Sequence, residues 1–322
     1  MDTHDSSSAS CAQSDAFLLD LTRGLNVRPR SIPPKYFYDA AGSALFDRIC
    51  TLPEYYPTRT EVGILERHAA EMAELMEGHI DLVEFGAGSL RKVRLLLDGL
   101  RLRNCDCRYV PIDISGDHLR SAARQLSADF PALQVCPVVC DYTALSTLPE
   151  TEGVGQRRIG FFPGSTLGNM SPAEAHAFLS RAASLLSGGG LLIGVDLVKD
   201  PALLHAAYND AQGVTAAFNL NLLARANREL DADFDLSGFA HHALYQPVLQ
   251  RIEMHLVSKR RQCVTIGDAQ YMFDEGESIH TENSYKFTMD GFRQLATRAG
   301  FVPEATWLDA RRSFSVHWLA AP

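Results

Sequence analysis

Residues 81–88 read DLVEFGAG, a short apolar run closed by Gly86 and Gly88, and residues 91–103, RKVRLLLDGLRLR, follow as an amphipathic stretch. That order is strand, glycine turn, helix. It recurs outward along the chain. RYVPIDIS (108–115) predicts a second strand, GDHLRSAARQLSADF (116–130) a helix, and LQVCPVVCD (133–141) a third strand. RRIGFFPGS (157–165) and LLIGVDLV (191–198) predict the fourth and fifth strands, separated by SPAEAHAFLSRAASLLSGGG (171–190), a helix with a glycine stop. MDGFRQLATRAG (289–300) predicts another helix, and FVPEATWLDA (301–310) and RSFSVHWLAA (312–321) the sixth and seventh strands, paired as an antiparallel hairpin. The expected fold is α/β: a doubly wound, mostly parallel, seven-stranded sheet whose ligands sit at the carboxyl ends of its strands.

The rhythm breaks after Asp200. Residues 201–234 read as two helices, and 246–259 and 262–267 as antiparallel strands. The expected organisation is a smaller α+β substrate domain, 16–60 with 201–287, inserted in a main domain, 61–200 with 288–322. Residues 1–15 are polar and Ser-rich and are expected to be a disordered tail.

A chain of 322 residues with 46% hydrophobic residues can bury a sizeable core. Its net charge of −9 disfavours nucleic acid as partner, because such binders draw affinity from clustered Lys and Arg. The same balance suits a cationic cofactor. Seven cysteines without a CxxC pair, no signal-like leader and no apolar run of membrane-spanning length predict reduced thiols in a soluble, cytoplasmic protein with no membrane partner.

Gly86-Ala87-Gly88 lets backbone pass close to a ligand, but the dinucleotide fingerprint wants a third small residue where Arg91 stands. Asp113, ending the second strand, reads either as a helix cap or as the acceptor for two ribose hydroxyls. Asp141, with Tyr142 after the third strand, reads either as a turn acid or as the partner of an adenine amino group. Three successive strand ends carrying GxG, Asp and Asp fit an adenosyl ligand. The terminal antiparallel hairpin favours methyl transfer over hydride transfer.

Five strings in order, KYFYDAAGSALFDRICTLPEYYPTRTE (35–61), FFPGSTLGNM (161–170), YNDAQGVTAAFNLN (208–221), RIEMHLVS (251–258) and HTENSYKF (280–287), resemble the histidine Nα-methyltransferases of ergothioneine biosynthesis. The resemblance runs from about residue 30 onward. It implies S-adenosylmethionine as cofactor and free L-histidine as substrate, trimethylated to hercynine; the chain is expected to be a monomer. It places Gly86, Lys92, Asp113, Asp141 and Tyr142 around the cofactor and Tyr38 near the reacting amine. For the substrate it implies Asn169 and Tyr208 on the carboxylate, Tyr55, Glu282 and Ser284 around the imidazole, and Met254 lining the pocket. The loop GAGSLRKV (86–93) and the string FFPGST (161–166) depart from the family's usual GSGTSEKT and FLGST, both on the cofactor side.

Several of these residues have plainer readings. Asn169 could form a turn before a capping Ser171, and Tyr208, Tyr55 and Met254 could be core. Glu282 and Ser284 alternate along an extended segment, so both side chains share a face. An acid and a hydroxyl there match the N–H and the acceptor nitrogen of neutral imidazole. Another free amino acid such as tryptophan is the rival substrate. His241, His242, His255 and His280 match no standard ligand spacing, so no metal is expected.

Overall fold

The computed structural model describes residues 5–76, 78–88, 90–103, 105–148 and 157–322, with the side chains of 5–13 outside that description. In chain order the elements are α1 (Asp5–Asn26), β1 (Arg30–Ser31), α2 (Ala40–Ile49), α3 (Tyr56–Glu74), β2 (Ile80–Phe85), α4 (Arg91–Leu102), β3 (Cys107–Asp113) and α5 (Gly116–Asp129). Then come β4 (Gln134–Val135), β5 (Val138–Val139), β6 (Arg157–Phe162), α6 (Pro172–Leu185), β7 (Gly190–Asp196), α7 (Pro201–Tyr208) and α8 (Val214–Leu230). The remainder is β8 (Phe239–Gln246), β9 (Arg251–Ser258), β10 (Gln262–Ile266), β11 (Ala269–Phe273), β12 (Ser278–Tyr285), α9 (Met289–Arg298), β13 (Val302–Leu308) and β14 (Phe314–Ala320). The chain divides into two units, Met1–Tyr55 with Asp200–Ser284, and Tyr56–Lys199 with Tyr285–Pro322.

The second unit is built on one sheet in the order β13-β14-β7-β6-β2-β3-β4, with β5 also on β3. β7, β6, β2, β3 and the short pieces run parallel, while β14 is antiparallel to both β7 and β13. All six residues of β2 are buried, as a central parallel strand requires. Ile64, Leu65, Leu96, Leu97, Leu119 and Leu126 bring α3, α4 and α5 onto one face. Phe178, Leu179, Phe292 and Leu295 bring α6 and α9 onto the other. The sheet counts eight strands rather than seven because LQVCPVVCD is two two-residue pieces, interrupted at Pro137, which has no N–H for a ladder.

The first unit holds a four-stranded sheet, β1-β12-β9-β8, and the separate hairpin β10-β11. β8 and β9 are antiparallel from Phe239↔Ser258 to Gln246↔Arg251, and β1 lies parallel to β12. Two expectations are corrected here. The strand expected from Gln246 begins at Arg251, because Gln246 ends β8 and Gln250 turns at φ +52. β8 was not foreseen, since FAHHALYQ has no clean alternation and most of it is half-buried. A third correction concerns the expected tail: α1 starts at Asp5, carried by Phe17, Leu21 and Leu25, buried at four-residue spacing. Residues 1–4 lie outside the described residues.

Candidate active site

The strand ends of the second unit carry the residues expected around a cofactor. Gly86 and Gly88 have φ +71 and +21, and the Gly86 and Ala87 N–H groups both donate to the Ile112 carbonyl, at 2.8 and 3.0 Å. A Cβ on Gly86 would stand 3.3 Å from the Tyr142 ring, whereas one on Gly88 would meet nothing within 4 Å. The loop is thus bare backbone tied to the end of β3. Asp113 closes that end, its carboxylate accepting from the Ser115 N–H at 2.8 Å and the Gly88 N–H at 3.3 Å. Asp141 accepts from the Thr143 N–H and hydroxyl at 2.9 and 2.5 Å. Tyr142 stands edge-on to Phe85, Phe162 and Phe178, and burial, then Asp141 and Asp113, push its hydroxyl pKa up.

Lys92 has a partner that sequence reasoning missed. Its Nζ lies 2.6 Å from the buried Glu61, whose carboxylate also accepts from the Gly164 N–H at 2.9 and 3.0 Å. Glu61 therefore joins α3, α4 and the turn after β6. Gly194 makes room for it, since a Cβ there would fall 2.0 Å from a Glu61 oxygen. Half-buried Asn169 ends the short 3-10 turn Thr166–Asn169, and the capping box after it is made by Ser171 and Glu174.

At the end of β7 the buried Asp196 gathers three donors. Lys199 Nζ lies 2.5 Å from one oxygen, and Lys286 Nζ and the Tyr56 hydroxyl lie 2.9 and 2.7 Å from the other. Lys199 also donates to Tyr56 Oη at 2.7 Å. Burial weighs most on Lys199 and brings its pKa down to about 8 against the pull of Asp196. Burial alone would raise Asp196, but Lys286 and Lys199 together hold it below the usual carboxylate range.

Of the residues expected around the amino acid, the first unit holds Tyr38, Tyr55, Tyr208, Met254, Glu282 and Ser284, while Asn169 belongs to the second. Tyr55 and Tyr208 are buried with ring centroids 6.3 Å apart, and the Tyr208 hydroxyl donates to Ser284 Oγ at 2.7 Å. Burial, then Tyr208, Cys50, Glu282 and Tyr38, push the Tyr55 hydroxyl well above its ordinary range, which puts all five side chains in one neighbourhood. Tyr38 meets Phe46 and Phe218 edge-on at 5.8 and 5.9 Å. On β12 the buried positions run Ile279, Thr281, Glu282, Ser284, so the alternation changes phase between Thr281 and Glu282, and His280 bonds Asn283 three residues on. Met254 is buried on β9, and its carbonyl accepts from the Thr281 hydroxyl at 3.0 Å.

A second tier, also missed from sequence, holds Tyr208 in place. His241 Nε2 lies 2.8 Å from the Tyr208 carbonyl and Nδ1 2.9 Å from the Asn219 amide nitrogen. Those partners assign a neutral ring with the proton on Nε2, in keeping with a pKa lowered by burial. Asn219 in turn accepts from Thr281 at 2.8 Å. Among the described residues no group of three or more His, Cys, Asp or Glu side chains is arranged to hold a metal, and no helix is long and apolar enough to cross a membrane.

A sulfonium nucleoside presents an adenine, a ribose diol and a positive charge. The open Gly86–Gly88 backbone and carboxylates at the ends of β3 and β5 suit those groups, and the β13–β14 hairpin completes the sheet of an S-adenosylmethionine-dependent methyltransferase. Comparison with known proteins narrows the class. The chain belongs to the family described as histidine-specific methyltransferase, SAM-dependent, which it matches over residues 17–321. It is 43% identical to a histidine N-alpha-methyltransferase of Mycolicibacterium smegmatis over 96% of both chains. It is 42% identical to the protein of that name in Mycobacterium tuberculosis, over 92% of both. It is 29% identical to ergothioneine biosynthesis protein 1 of Neurospora crassa, over 91% of this chain and 33% of that one.

Proposed function

We propose that this enzyme transfers three methyl groups to the α-amino nitrogen of free L-histidine, giving hercynine for ergothioneine biosynthesis, and that it works as a cytoplasmic monomer without nucleic-acid or membrane partners. The observation that carries the substrate reading is the burial, in one neighbourhood, of an acid, a hydroxyl and two tyrosines: Glu282, Ser284, Tyr55 and Tyr208. Aliphatic and phenyl side chains offer that acid and hydroxyl no hydrogen-bonding group of their own, whereas an imidazole offers both a donor and an acceptor.

In this reading Gly86, Asp113, Asp141 and Tyr142 hold the nucleoside, and Lys92, fixed by Glu61, shapes the turn after β6. When bound, S-adenosylmethionine supplies an electrophilic methyl group and its own leaving group, so the protein needs no covalent nucleophile. What the chain must do is orient the amine, exclude water and let a proton leave before each transfer. Tyr38 stands beside the amine and a water takes the proton. Asn169 donates to the carboxylate. Tyr208 exchanges its Ser284 partner for the carboxylate, and Ser284 turns to the ring nitrogen while Glu282 accepts the ring N–H and Tyr55 and Met254 pack its faces.

Mass spectrometry of the enzyme with S-adenosylmethionine and the twenty amino acids tests this reading. The expected product is histidine heavier by three CH₂ units. Methylated tryptophan with untouched histidine would overturn it.

A further inference from the structure

The chain passes between its two units three times, at Tyr55/Tyr56, Lys199/Asp200 and Ser284/Tyr285. Each crossing has a buried side chain within two residues of it on the methyltransferase side: Tyr56, Lys199 and Lys286. All three end on the carboxylate of Asp196, which is 1% exposed at the tip of β7. The segments they anchor lead directly to the proposed substrate residues. Tyr55 precedes Tyr56, Ser284 and Glu282 lie just ahead of Lys286, and α7 with Tyr208 starts just beyond Lys199.

Nothing in the methyl-transfer chemistry calls for this cluster. Nor is a carboxylate with two ammoniums an economical way to fill a core, because burying an ion pair costs desolvation that apolar packing avoids. What it supplies is direction. Charge-assisted hydrogen bonds fix donor and acceptor atoms to a few tenths of an ångström, where apolar contacts tolerate sliding. A second tie strengthens the point, since the Asp196 N–H donates to Ser165 Oγ at 2.9 Å, within the turn that leads to Asn169.

We propose that Asp196 is a positioning residue for amino-acid binding, a single clamp that fixes the three crossings and, through them, the segments bearing Tyr55, Tyr208 and Glu282 with Ser284. The proposal rests on the substrate reading given above. Loosening the clamp raises the KM for the amino acid without weakening the cofactor, whose residues lie at or just beyond the ends of β2, β3 and β5 and on α4.

The test uses the whole enzyme and the variants Tyr56→Phe, Lys286→Met, Lys286→Arg and Asp196→Asn. Tyr56→Phe removes one hydroxyl and no charge, so it keeps the question open should Asp196→Asn fail to fold. It is expected to raise the histidine KM about tenfold, with kcat and the calorimetric Kd for S-adenosylmethionine within about threefold of wild type. Lys286→Met should do the same and Lys286→Arg should restore most of the loss. Hydrogen exchange supplies a readout independent of activity: in Tyr56→Phe, amides near all three crossings should exchange faster together, while those of β2 and β3 keep wild-type protection. Faster exchange at residue 56 alone, or an unchanged KM, overturns the clamp. A wild-type enzyme that ignores histidine would sink the substrate reading instead, and the exchange pattern would still decide whether Asp196 couples the crossings.

Discussion

The two units build their sites by different means. In the methyltransferase unit the candidate cofactor residues sit at the ends of parallel strands, and much of the surface offered to a ligand is backbone: Gly86 and Ala87, held by the Ile112 carbonyl, and Gly88, held by the Asp113 carboxylate. In the inserted unit the candidate substrate residues come from elements that are far apart in sequence, and what they offer is buried side-chain polarity backed by His241, Asn219 and Thr281. A backbone site is specified locally and reads the groups that all nucleosides share. A side-chain site is specified by long-range packing and can discriminate one amino acid from another, because each buried polar atom must find a partner.

That contrast can be broken most directly at the ring end of the substrate site. Changing Glu282 and Ser284 together to Ala is expected to raise the histidine KM by about 100-fold or more and to narrow the advantage over phenylalanine, with cofactor affinity near wild type. A fall in S-adenosylmethionine affinity in the same calorimetric titration would show that the two sites are not separable in this way. The converse variant, Asp113→Ala, should weaken S-adenosylmethionine by about 10- to 100-fold, since charge-assisted bonds to two hydroxyls are lost. Unchanged affinity would reduce Asp113 to a clip for the Ser115 and Gly88 amides.

A pH experiment sharpens the comparison inside the methyltransferase unit. Burial pushes Glu84 of β2 up to about 8, although the Tyr109 hydroxyl that donates to it pulls the other way. A carboxyl raised in the fold contributes stability that is complete below its ordinary range and is lost as pH rises through about 8. The wild-type Tm should therefore fall between about pH 5 and about pH 8 and level off above, and Glu84→Gln, which keeps a neutral group there, should flatten that limb of a thermal-denaturation series. A wild-type Tm flat across that range would mean that Glu84 is ionised in the fold. The smallest effect expected is on turnover: an α-amine with a pKa of about 7.7 to 8.0 is mostly protonated at neutral pH, so activity should climb several-fold toward about pH 9. A flat rate profile, with chemistry limiting, would indicate that the substrate site admits only the neutral amine.

Much of the methyltransferase unit was legible because its determinants are local. Apolar runs ending in Gly86, Asp113 and Asp141 announce strand ends whatever the rest of the chain does, and only the break at Pro137 was overlooked. The inserted unit was less legible. β8 carries no periodic signal because most of it is half-buried, and the phase change between Thr281 and Glu282 has no marker in HTENSYKF. Glu61 and Asp196 were invisible for a related reason. An acid in a helix and an acid at a strand tip look like surface residues until the lysines that reach them, Lys92, Lys199 and Lys286, are placed in space. The five strings that carried the family resemblance contain Glu61 and Lys286, but resemblance of a string does not say which of its residues are buried partners.

The position of β14 in the sheet bears on how the protein is made. β14 lies between β7 and β13, and its Phe314 stands opposite Asp196. A ribosome releases β7 long before β14, with the whole insertion, α9 and β13 coming between them. Throughout that interval the open side of β7 offers unpaired N–H and carbonyl groups and a run of apolar residues, Leu191, Leu192, Ile193 and Val195, that are fully buried in the finished fold. Nascent chains stalled before residue 314 should thus be strong clients for chaperones that recognise exposed strands, and release of those chaperones should coincide with the arrival of a single seven-residue segment.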